Sequence, residues 1–242
     1  MLSIYLKEIN SFLNSLIAYG VIIIFLTGVG LFIWVFPEYS ILNYGFADLE
    51  TLFSMSPYLF MFLIPAITMR TFAEEKKDGT IELLFTKPLT DWQIILGKYF
   101  SGLTLVLLAL VPTLIYYYSV YRLGDPVGNI DSASVFGSYI GLVLLGAVFT
   151  SIGIFASAVT MNQIVSFILA GALCFLVFSG FGYISTLQIS GNISALTDQL
   201  GIQYHYAALS KGLVDSRDVL YYLSVCFTML LLTKLALGSR KW

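Results

Sequence analysis

The sequence predicts an all-α integral membrane protein with six transmembrane helices, and three observations lead to that prediction. Of the 242 residues, 58% are apolar and only 11% are charged, whereas about 25% of the residues in a soluble domain are charged. Six apolar stretches reach the ~20 residues that a helix needs to cross the hydrocarbon layer of a membrane. No stretch alternates with the two-residue period of a membrane β-barrel.

The same composition excludes several classes of protein. The charged side chains are too few to cover the surface of an ordinary cytosolic enzyme, and the chain is too apolar to be disordered. The net charge is −2, and the 12 basic residues are scattered along the chain. We expect no nucleic-acid partner, because phosphate contacts need clustered lysines and arginines.

We expect one transmembrane domain over residues 1–242. It consists of an N-terminal interfacial helix (1–15), spans one and two (16–71), a cytoplasmic coupling segment (72–98), spans three to five (99–185), an extracytoplasmic loop (186–218), and span six with a cytoplasmic tail (219–242). The six spans are predicted at Leu16–Phe36, Leu52–Thr71, Tyr99–Tyr121, Val135–Val159, Ile164–Ser185 and Val219–Leu237.

Residues 1–15 have the pattern of an amphipathic helix. Apolar residues recur at spacings of three and four, and polar residues take the other side. This pattern fits a short helix that lies in the membrane interface with its apolar stripe in the lipid. A helical extension of span one fits equally well, and the sequence leaves both interpretations open. The apolar positions are Leu2, Leu6, Ile9, Leu13 and Leu16.

The basic residues predict the orientation of the chain. Nine of the 12 lie on one predicted side of the membrane. By the positive-inside rule that side is cytoplasmic, so both termini are cytoplasmic. The first apolar stretch lacks a small-residue cleavage site, which favours a retained span over a signal peptide. The nine residues are Lys7, Arg70, Lys76, Lys77, Lys87, Lys98, Lys234, Arg240 and Lys241.

Local signals divide the cytoplasmic segment into two helical starts. The Asp-Gly pair at 78–79 indicates a turn. Thr80 can then cap a new helix, whose positive end favours the nearby Glu82. A second start follows at Thr90, where Gln93 completes a capping box three residues later. The segment therefore predicts a short helix held below the membrane between spans two and three.

That short helix has an apolar face. Ile81, Leu84 and Phe85 fall on one side of it, and Pro88 prevents its continuation. A solvated loop helix with no partner would show this pattern, and so would a helix gripped by a soluble subunit. The residue pattern alone leaves both open.

Small residues at helical spacing characterise span four. Gly137 and Gly141 form a GxxxG pattern, and Gly153 with Ser157 forms a second small-xxx-small pattern. Both spacings allow another helix to approach closely. No ionisable residue lies near the middle of a predicted span, so we expect the driving energy of any transport cycle to enter from outside the lipid-buried part.

Motifs for enzyme chemistry do not occur. The chain contains no G-x-x-x-x-G-K-[ST], G-x-S-x-G or H-E-x-x-H pattern. The lone His205 lies in the outer loop, which we expect to form one or two short helices, and it has no neighbouring residue suited to a metal. Cys174 and Cys226 fall in apolar spans as small packing residues. We predict no catalytic residue, no metal site and no bound cofactor.

Two stretches of the chain resemble a known family. They are KEINSFLNSLIAYG near the start and EEKKDGTIELLFTKPLTDWQIILGK at 74–98, and they resemble the membrane subunits of ATP-binding-cassette transporters of the ABC-2 type. In that family the second stretch forms a coupling helix that docks on the ATPase subunit. The resemblance assigns this docking role to Glu74, Glu75, Gly79, Thr80, Ile81, Glu82, Leu84, Phe85 and Pro88.

The resemblance also implies partners and a location. ATP and magnesium bind to the separate ATPase subunit, so this chain needs no cofactor of its own. The family implies a dimer of permeases, built from two copies or from a pair with a second membrane subunit, together with two ATPase chains. The location it implies is the bacterial cytoplasmic membrane, in contact with membrane lipid.

A narrower resemblance is to the gliding-motility-associated permeases of the GldF type. It rests on FLNSLIAYG and on the closing stretch KGLVDSRDVLYYLSVCFTMLLLTKLAL. The resulting hypothesis is the permease subunit of an ATP-driven exporter, with a non-transporting scaffold or a secondary carrier as alternatives. The sequence does not indicate the substrate. In this hypothesis an apolar groove on the ATPase accepts Ile81, Leu84 and Phe85, and basic residues there meet Glu74, Glu75 and Glu82.

Overall fold

A computed structural model describes residues 1–185 and 197–238, apart from the side chains of Tyr44 and Phe85. The described residues form helices joined by turns and include no β-strand. Six helical stretches are long and apolar enough to cross a membrane, which confirms the predicted fold class and the predicted number of spans. Spans one to six are Leu16–Trp34, Glu50–Lys77, Asp91–Leu123, Ser132–Val159, Gln163–Ser185 and Ser216–Gly238.

Shorter helices connect or flank the spans. Leu2–Leu13 precedes span one, and Ile41–Tyr44 follows it. The far end of span two is a separate helical piece, Ala73–Lys77, and Ile81–Phe85 comes after it. Ile202–Leu209 lies between spans five and six.

The N-terminal helix is separate from span one. The chain leaves the helical conformation around Asn14, and the hydroxyl of Ser15 accepts a hydrogen bond from the backbone N–H of Ile17 at 3.1 Å. The interpretation as a simple extension of span one is therefore wrong. The helix buries a face that the apolar pattern did not mark, made of Ile4, Glu8 and Phe12, whereas Leu2, Leu6 and Leu13 are exposed.

Span four lies at the centre of the bundle. It packs against spans two, three, five and six, and it is the most buried of the six. Small residues allow this crowding: a Cβ atom added to Gly146 would come within 2.7 Å of Val106 in span three. Spans one and six lie at the periphery, and most of their side chains are at least partly exposed.

Three spans contain a break in regular α-helix, as helices with proline or π-turns do. Span two carries Pro57 and Pro65 within its first α-helix and leaves the α-helical conformation between Thr68 and Ala73. Span three passes through a 3₁₀ turn at Val111–Thr113, which contains Pro112. Span five passes through a π-helical turn at Leu176–Gly180. Span four is α-helical over all 28 residues of Ser132–Val159.

The bundle has two ends with different chemistry. What we call the basic end holds the N-terminal helix and residues 69–98, with Lys7, Lys76 and Lys98. What we call the acidic end holds residues 35–49, 124–131 and 197–215. These ranges include Glu38, Asp48, Asp125, Asp131, Asp198 and Asp215.

A short helix, Ile202–Leu209, forms in the described part of the predicted outer loop, and we call it the outer helix. Ile202–Leu209 turns Ile202, Tyr206 and Leu209 inward against the ends of spans four and five. The hydroxyl of Tyr206 donates to the carbonyl of Phe53 in span two at 2.6 Å. Residues 186–196 of the predicted loop lie outside the described residues.

Candidate functional site

The 72–98 segment follows the local signals in its sequence at two points. Gly79 adopts a left-handed φ of +70°, so the chain turns there as predicted. The capping box at Thr90 is also present: its hydroxyl accepts from the N–H of Gln93 at 3.4 Å, and the Gln93 side chain accepts from the N–H of Thr90 at 3.1 Å. Between these points, Ile81–Phe85 is a helix of five residues that ends before Pro88.

Thr80 does not cap that helix with its side chain. A side-chain cap needs an extended backbone at the capping residue, whereas Thr80 has φ −77° and ψ −12°, which is helical. Its hydroxyl donates instead to the carbonyl of Glu75 at 3.3 Å. The prediction that the Thr80 side chain caps this helix is therefore wrong. Thr80 follows the turn at Gly79 and already has a helical backbone conformation.

The apolar face of the short helix turns toward the protein's own core. Ile81 is only 7% exposed, and Leu84 is half-buried against the same core. Leu83 points the other way and is 66% exposed. The expectation that Ile81 and Leu84 face outward does not match this placement, because the bundle itself covers them. The side chain of Phe85 lies outside the described residues.

A buried lysine ties three parts of the chain together. Nζ of Lys98 in span three donates to Oε1 of Glu8 at 2.9 Å and to the carbonyl of Thr71 at 2.6 Å, and it lies 3.0 Å from Oε1 of Glu75. Only 1% of the Lys98 side chain is exposed. A buried charge needs such partners to offset its lost hydration. We call Glu8, Glu75 and Lys98 the lysine cluster.

Glu75 is therefore an internal residue rather than a free docking residue. It also accepts from Nζ of Lys7 at 3.1 Å. Partial burial lowers the pKa of Lys7, but the hydrogen bond and charge of Glu75, with Glu8 nearby, raise that pKa to a net value above the ordinary one. The sequence prediction missed this pairing because Lys7 and Glu75 are 68 residues apart in the chain.

A second set of contacts joins the segment to span four. The hydroxyl of Ser157 accepts from the backbone N–H of Phe72 at 2.9 Å and of Ala73 at 3.0 Å, and donates to the carbonyl of Met69 at 3.0 Å. Lys76 donates through Nζ to the carbonyl of Ala158. Ser157 is thus a hydrogen-bonding anchor as well as a small residue.

The other predicted packing residues of span four also make close contacts. Gly153 leaves room for Thr68 in span two, because an added Cβ would overlap the Thr68 side chain. Gly137 and Gly141 lie against backbone of Gly212 and the Cβ of Leu209, which an added Cβ would approach to 2.6 and 2.8 Å. The GxxxG residues Gly137 and Gly141 therefore accommodate the helix Ile202–Leu209 and the turn after it, and not another span.

A polar cavity of about 250 Å³ lies beside the lysine cluster. The guanidinium of Arg70 sits over the ring of Phe12 at 5.4 Å, and its Nη2 is buried without a hydrogen-bond partner among the described residues. Oε2 of Glu75 is also buried without a hydrogen-bond partner among the described residues. The cavity also contacts Lys7, Ser11, Glu74 and Asp78.

An exposed strip remains on the outside of the segment. Its charged members, two basic and three acidic, sum to −1, and Leu83 is the large apolar side chain among them. The strip faces away from the bundle, and the chain directly before it is held by the lysine cluster and by Ser157. The exposed residues are Glu74, Lys77, Asp78, Gly79, Thr80, Glu82, Leu83, Thr86, Lys87 and Pro88.

The remaining candidate residues have structural partners. Nδ1 of His205 lies 2.7 Å from Oδ1 of Asp218, and Nε2 lies 2.9 Å from the carbonyl of Gln199. Its ring stacks on Tyr221 with centroids 3.9 Å apart. Cys174 and Cys226 are buried and form no disulfide bond. Within residues 1–185 and 197–238, no group of three or more His, Cys, Asp or Glu side chains is arranged to hold a metal ion.

Comparison with known proteins identifies the family. The model of the family described as ABC-2 family transporter protein matches residues 38–202, which contain spans two to five and the whole 72–98 segment. No curated protein matches the chain significantly. Because the family match covers more than half of the 242 residues, the chain belongs to the ABC-2 family of transporter membrane proteins.

Proposed function

We propose that this chain is the membrane-spanning permease subunit of an ATP-driven ABC transporter and that the ATPase subunit docks on the exposed strip of the 72–98 segment. The observation that carries this proposal is the placement of Leu83. It is 66% exposed in a segment that Ser157 and the lysine cluster attach to the bundle. An exposed apolar side chain ringed by charges fits the apolar centre and polar rim of a protein interface.

The strip specifies what the ATPase surface must offer. An apolar pocket would take Leu83, and a basic rim would meet Glu74, Asp78 and Glu82, which are exposed. This arrangement replaces the set expected from the sequence, since Ile81, Leu84 and Glu75 already have partners inside the chain. ATP and magnesium would bind to that ATPase subunit.

The proposal includes an orientation and an assembly. The basic end would face the cytoplasm, with both termini there, because lysines and arginines concentrate on that side. The membrane would be the bacterial cytoplasmic membrane. A second permease subunit, either another copy of this chain or a different membrane chain, would complete the transporter.

We further propose export in a gliding-motility system as the biological setting. The support is the resemblance of the stretches FLNSLIAYG and KGLVDSRDVLYYLSVCFTMLLLTKLAL to the GldF type of permease. The two alternatives predict different behaviour. A scaffold would assemble with its partners and show no ATP-dependent flux, and a secondary carrier would move substrate along an ion gradient in ATP-free vesicles.

The docking proposal is tested by a matched pair of substitutions. Leu83→Asp places a charge on the strip, and Leu213→Asp makes the same change at a leucine of equal exposure (67%) at the acidic end. Each variant is affinity-tagged, purified from native membranes and assayed for the ABC ATPase that accompanies the wild-type chain. We expect Leu83→Asp to lose the ATPase and Leu213→Asp to retain it. Retention by both variants would refute docking at Leu83.

A further inference from the structure

Span four touches non-membrane segments at both of its ends. At the basic end, Ser157 bonds the backbone of residues 69–73. At the acidic end, the hydroxyl of Ser138 donates to the carbonyl of Ser210 at 2.8 Å, and the hydroxyl of Ser134 donates to the carbonyl of Lys211 at 2.9 Å. One helix therefore holds the start of the 72–98 segment and the turn that follows the helix Ile202–Leu209.

Close contacts reinforce both attachments. At one end Gly153 lies against the side chain of Thr68, the last residue of the helix before residues 69–73, and at the other end Gly137 lies against the backbone of Gly212. Gly212 itself has a left-handed φ of +79°, which fixes the turn that meets span four. Neither contact has room for an extra methyl group, so a shift of span four along its axis must move both segments or break the contacts.

Three neighbours of span four are less suited to carry such a shift, because helices bend where regular α-helix is interrupted or contains proline. Span two contains two prolines and leaves the α-helix between Thr68 and Ala73, span three has a 3₁₀ turn, and span five has a π-turn. Span four continues as α-helix for 28 residues, a length of about 42 Å at 1.5 Å per residue. Its inward side chains, including Leu142, Leu145 and Ile152, are fully buried.

We propose that span four works as a rigid connector that couples the position of residues 69–76 at the basic end to that of residues 209–213 at the acidic end. Ser157 and Ser138 are its positioning residues. This coupling needs no other subunit, because all of its contacts lie within this chain. Its use, moving the outer segment when the ATPase moves the 72–98 segment, rests on the proposed function.

Hydrogen exchange can measure this coupling, because backbone amides at both ends are hydrogen-bonded. Ser210 donates to the carbonyl of Tyr206 at 2.7 Å and Gly212 to that of Leu209 at 2.9 Å. At the other end, Lys76 donates to the carbonyl of Phe72 at 2.9 Å. Exchange of these amides reports local opening.

The experiment compares three variants of the full chain in lipid nanodiscs by hydrogen–deuterium exchange mass spectrometry. Ser157→Ala removes the attachment at the basic end, and Ser138→Ala removes the one at the acidic end. The control is Ser151→Ala in the same helix, whose hydroxyl donates to the carbonyl of Val148 at 2.7 Å and contacts Cys226 in span six, so its hydrogen bonds involve neither residues 69–76 nor residues 209–213. No ATPase is needed, so failure of this test is distinguishable from failure of docking.

We expect each variant to speed exchange at the distant end as well as locally. Ser157→Ala should raise the exchange rate of amides 210–213 by about two- to tenfold, the range that one lost hydrogen bond produces. Ser138→Ala should raise the rate of amides 72–76 by a similar factor, because coupling between two sites is reciprocal. Ser151→Ala should do neither. Effects confined to the mutated end, or distant effects equal to those of Ser151→Ala, would overturn the proposal.

Discussion

Lys98 and Glu8 are 90 residues apart in the chain, yet Nζ of the lysine donates to Oε1 of the glutamate across 2.9 Å. The contact fixes the N-terminal helix against span three. Because Oε1 of Glu75 lies 3.0 Å from the same Nζ, the contact also holds the 72–98 segment. The exposed strip is therefore attached to the bundle through charged side chains that are themselves largely shielded from water.

Removal of the lysine should destabilise the protein strongly. We expect Lys98→Met to cost about 3–5 kcal/mol, since it leaves two largely buried carboxylates with only the exposed Lys7 as a nearby cation. The measurement is thermal unfolding in nanodiscs. The double variant Lys98→Met/Glu8→Gln should unfold at a higher temperature than Lys98→Met, because Lys7 then has a single carboxylate, Glu75, to pair with. A single variant as stable as the wild type would contradict the assignment of a buried charge cluster.

Contact between spans three and four should be sensitive to one methyl group. A Cβ added at Gly102 would lie 2.8 Å from Cγ2 of Thr150, so we expect Gly102→Ala to cost about 1–3 kcal/mol through overpacking. Thr150→Ser removes that methyl group and keeps the hydroxyl. The double variant should therefore recover most of the stability, as measured by thermal unfolding. An equal loss in the single and double variants would show that these spans do not meet there.

Stability should depend on Lys7 only below strongly alkaline pH. The pKa of Lys7 is raised in the folded protein, so its contribution is fully present below the pKa of the unfolded chain and is lost as the pH rises through the folded value. We expect Lys7→Met to be less stable than the wild type at pH 8. The difference should shrink above about pH 10.5, the ordinary lysine value. A stability difference between Lys7→Met and the wild type that grows with pH would contradict a raised pKa of Lys7.

The outer helix should depend on one buried hydroxyl. Tyr206 is 5% exposed and its hydroxyl donates to the carbonyl of Phe53 at 2.6 Å, and burial raises the pKa of Tyr206. We expect Tyr206→Phe to cost about 1–2 kcal/mol, because the carbonyl loses its donor. Tyr204→Phe is the matched control, since Tyr204 is 48% exposed. Equal melting temperatures for the two variants would contradict this anchoring role.

The features that the sequence predicted correctly depend on short-range signals. Apolar length is enough to place six spans, because the thickness of the hydrocarbon layer sets it. The turn at Gly79 and the capping box at Thr90 each depend on residues no more than three apart. These signals act between neighbouring residues and need no tertiary contact, and both features are present in the structure.

The features that the sequence did not reveal depend on long-range contacts. Periodicity places Ile81 and Leu84 on one face, but it cannot show whether that face meets the bundle or a partner. The pairing of Lys98 with Glu8 joins residues whose separation hides the relationship. The GxxxG spacing at Gly137 correctly marks a close approach, yet it does not say that a turn near Gly212 fills the space.

Site-specific photo-crosslinking tests the central claim most directly. A photoreactive amino acid replaces Leu83 in one variant and Leu213 in another, and native membranes are irradiated before the chain is purified. We predict a covalent adduct with the ABC ATPase from position 83 and none from position 213. An ATPase adduct from position 213 alone, or an equal yield from both positions, would contradict docking on the exposed strip.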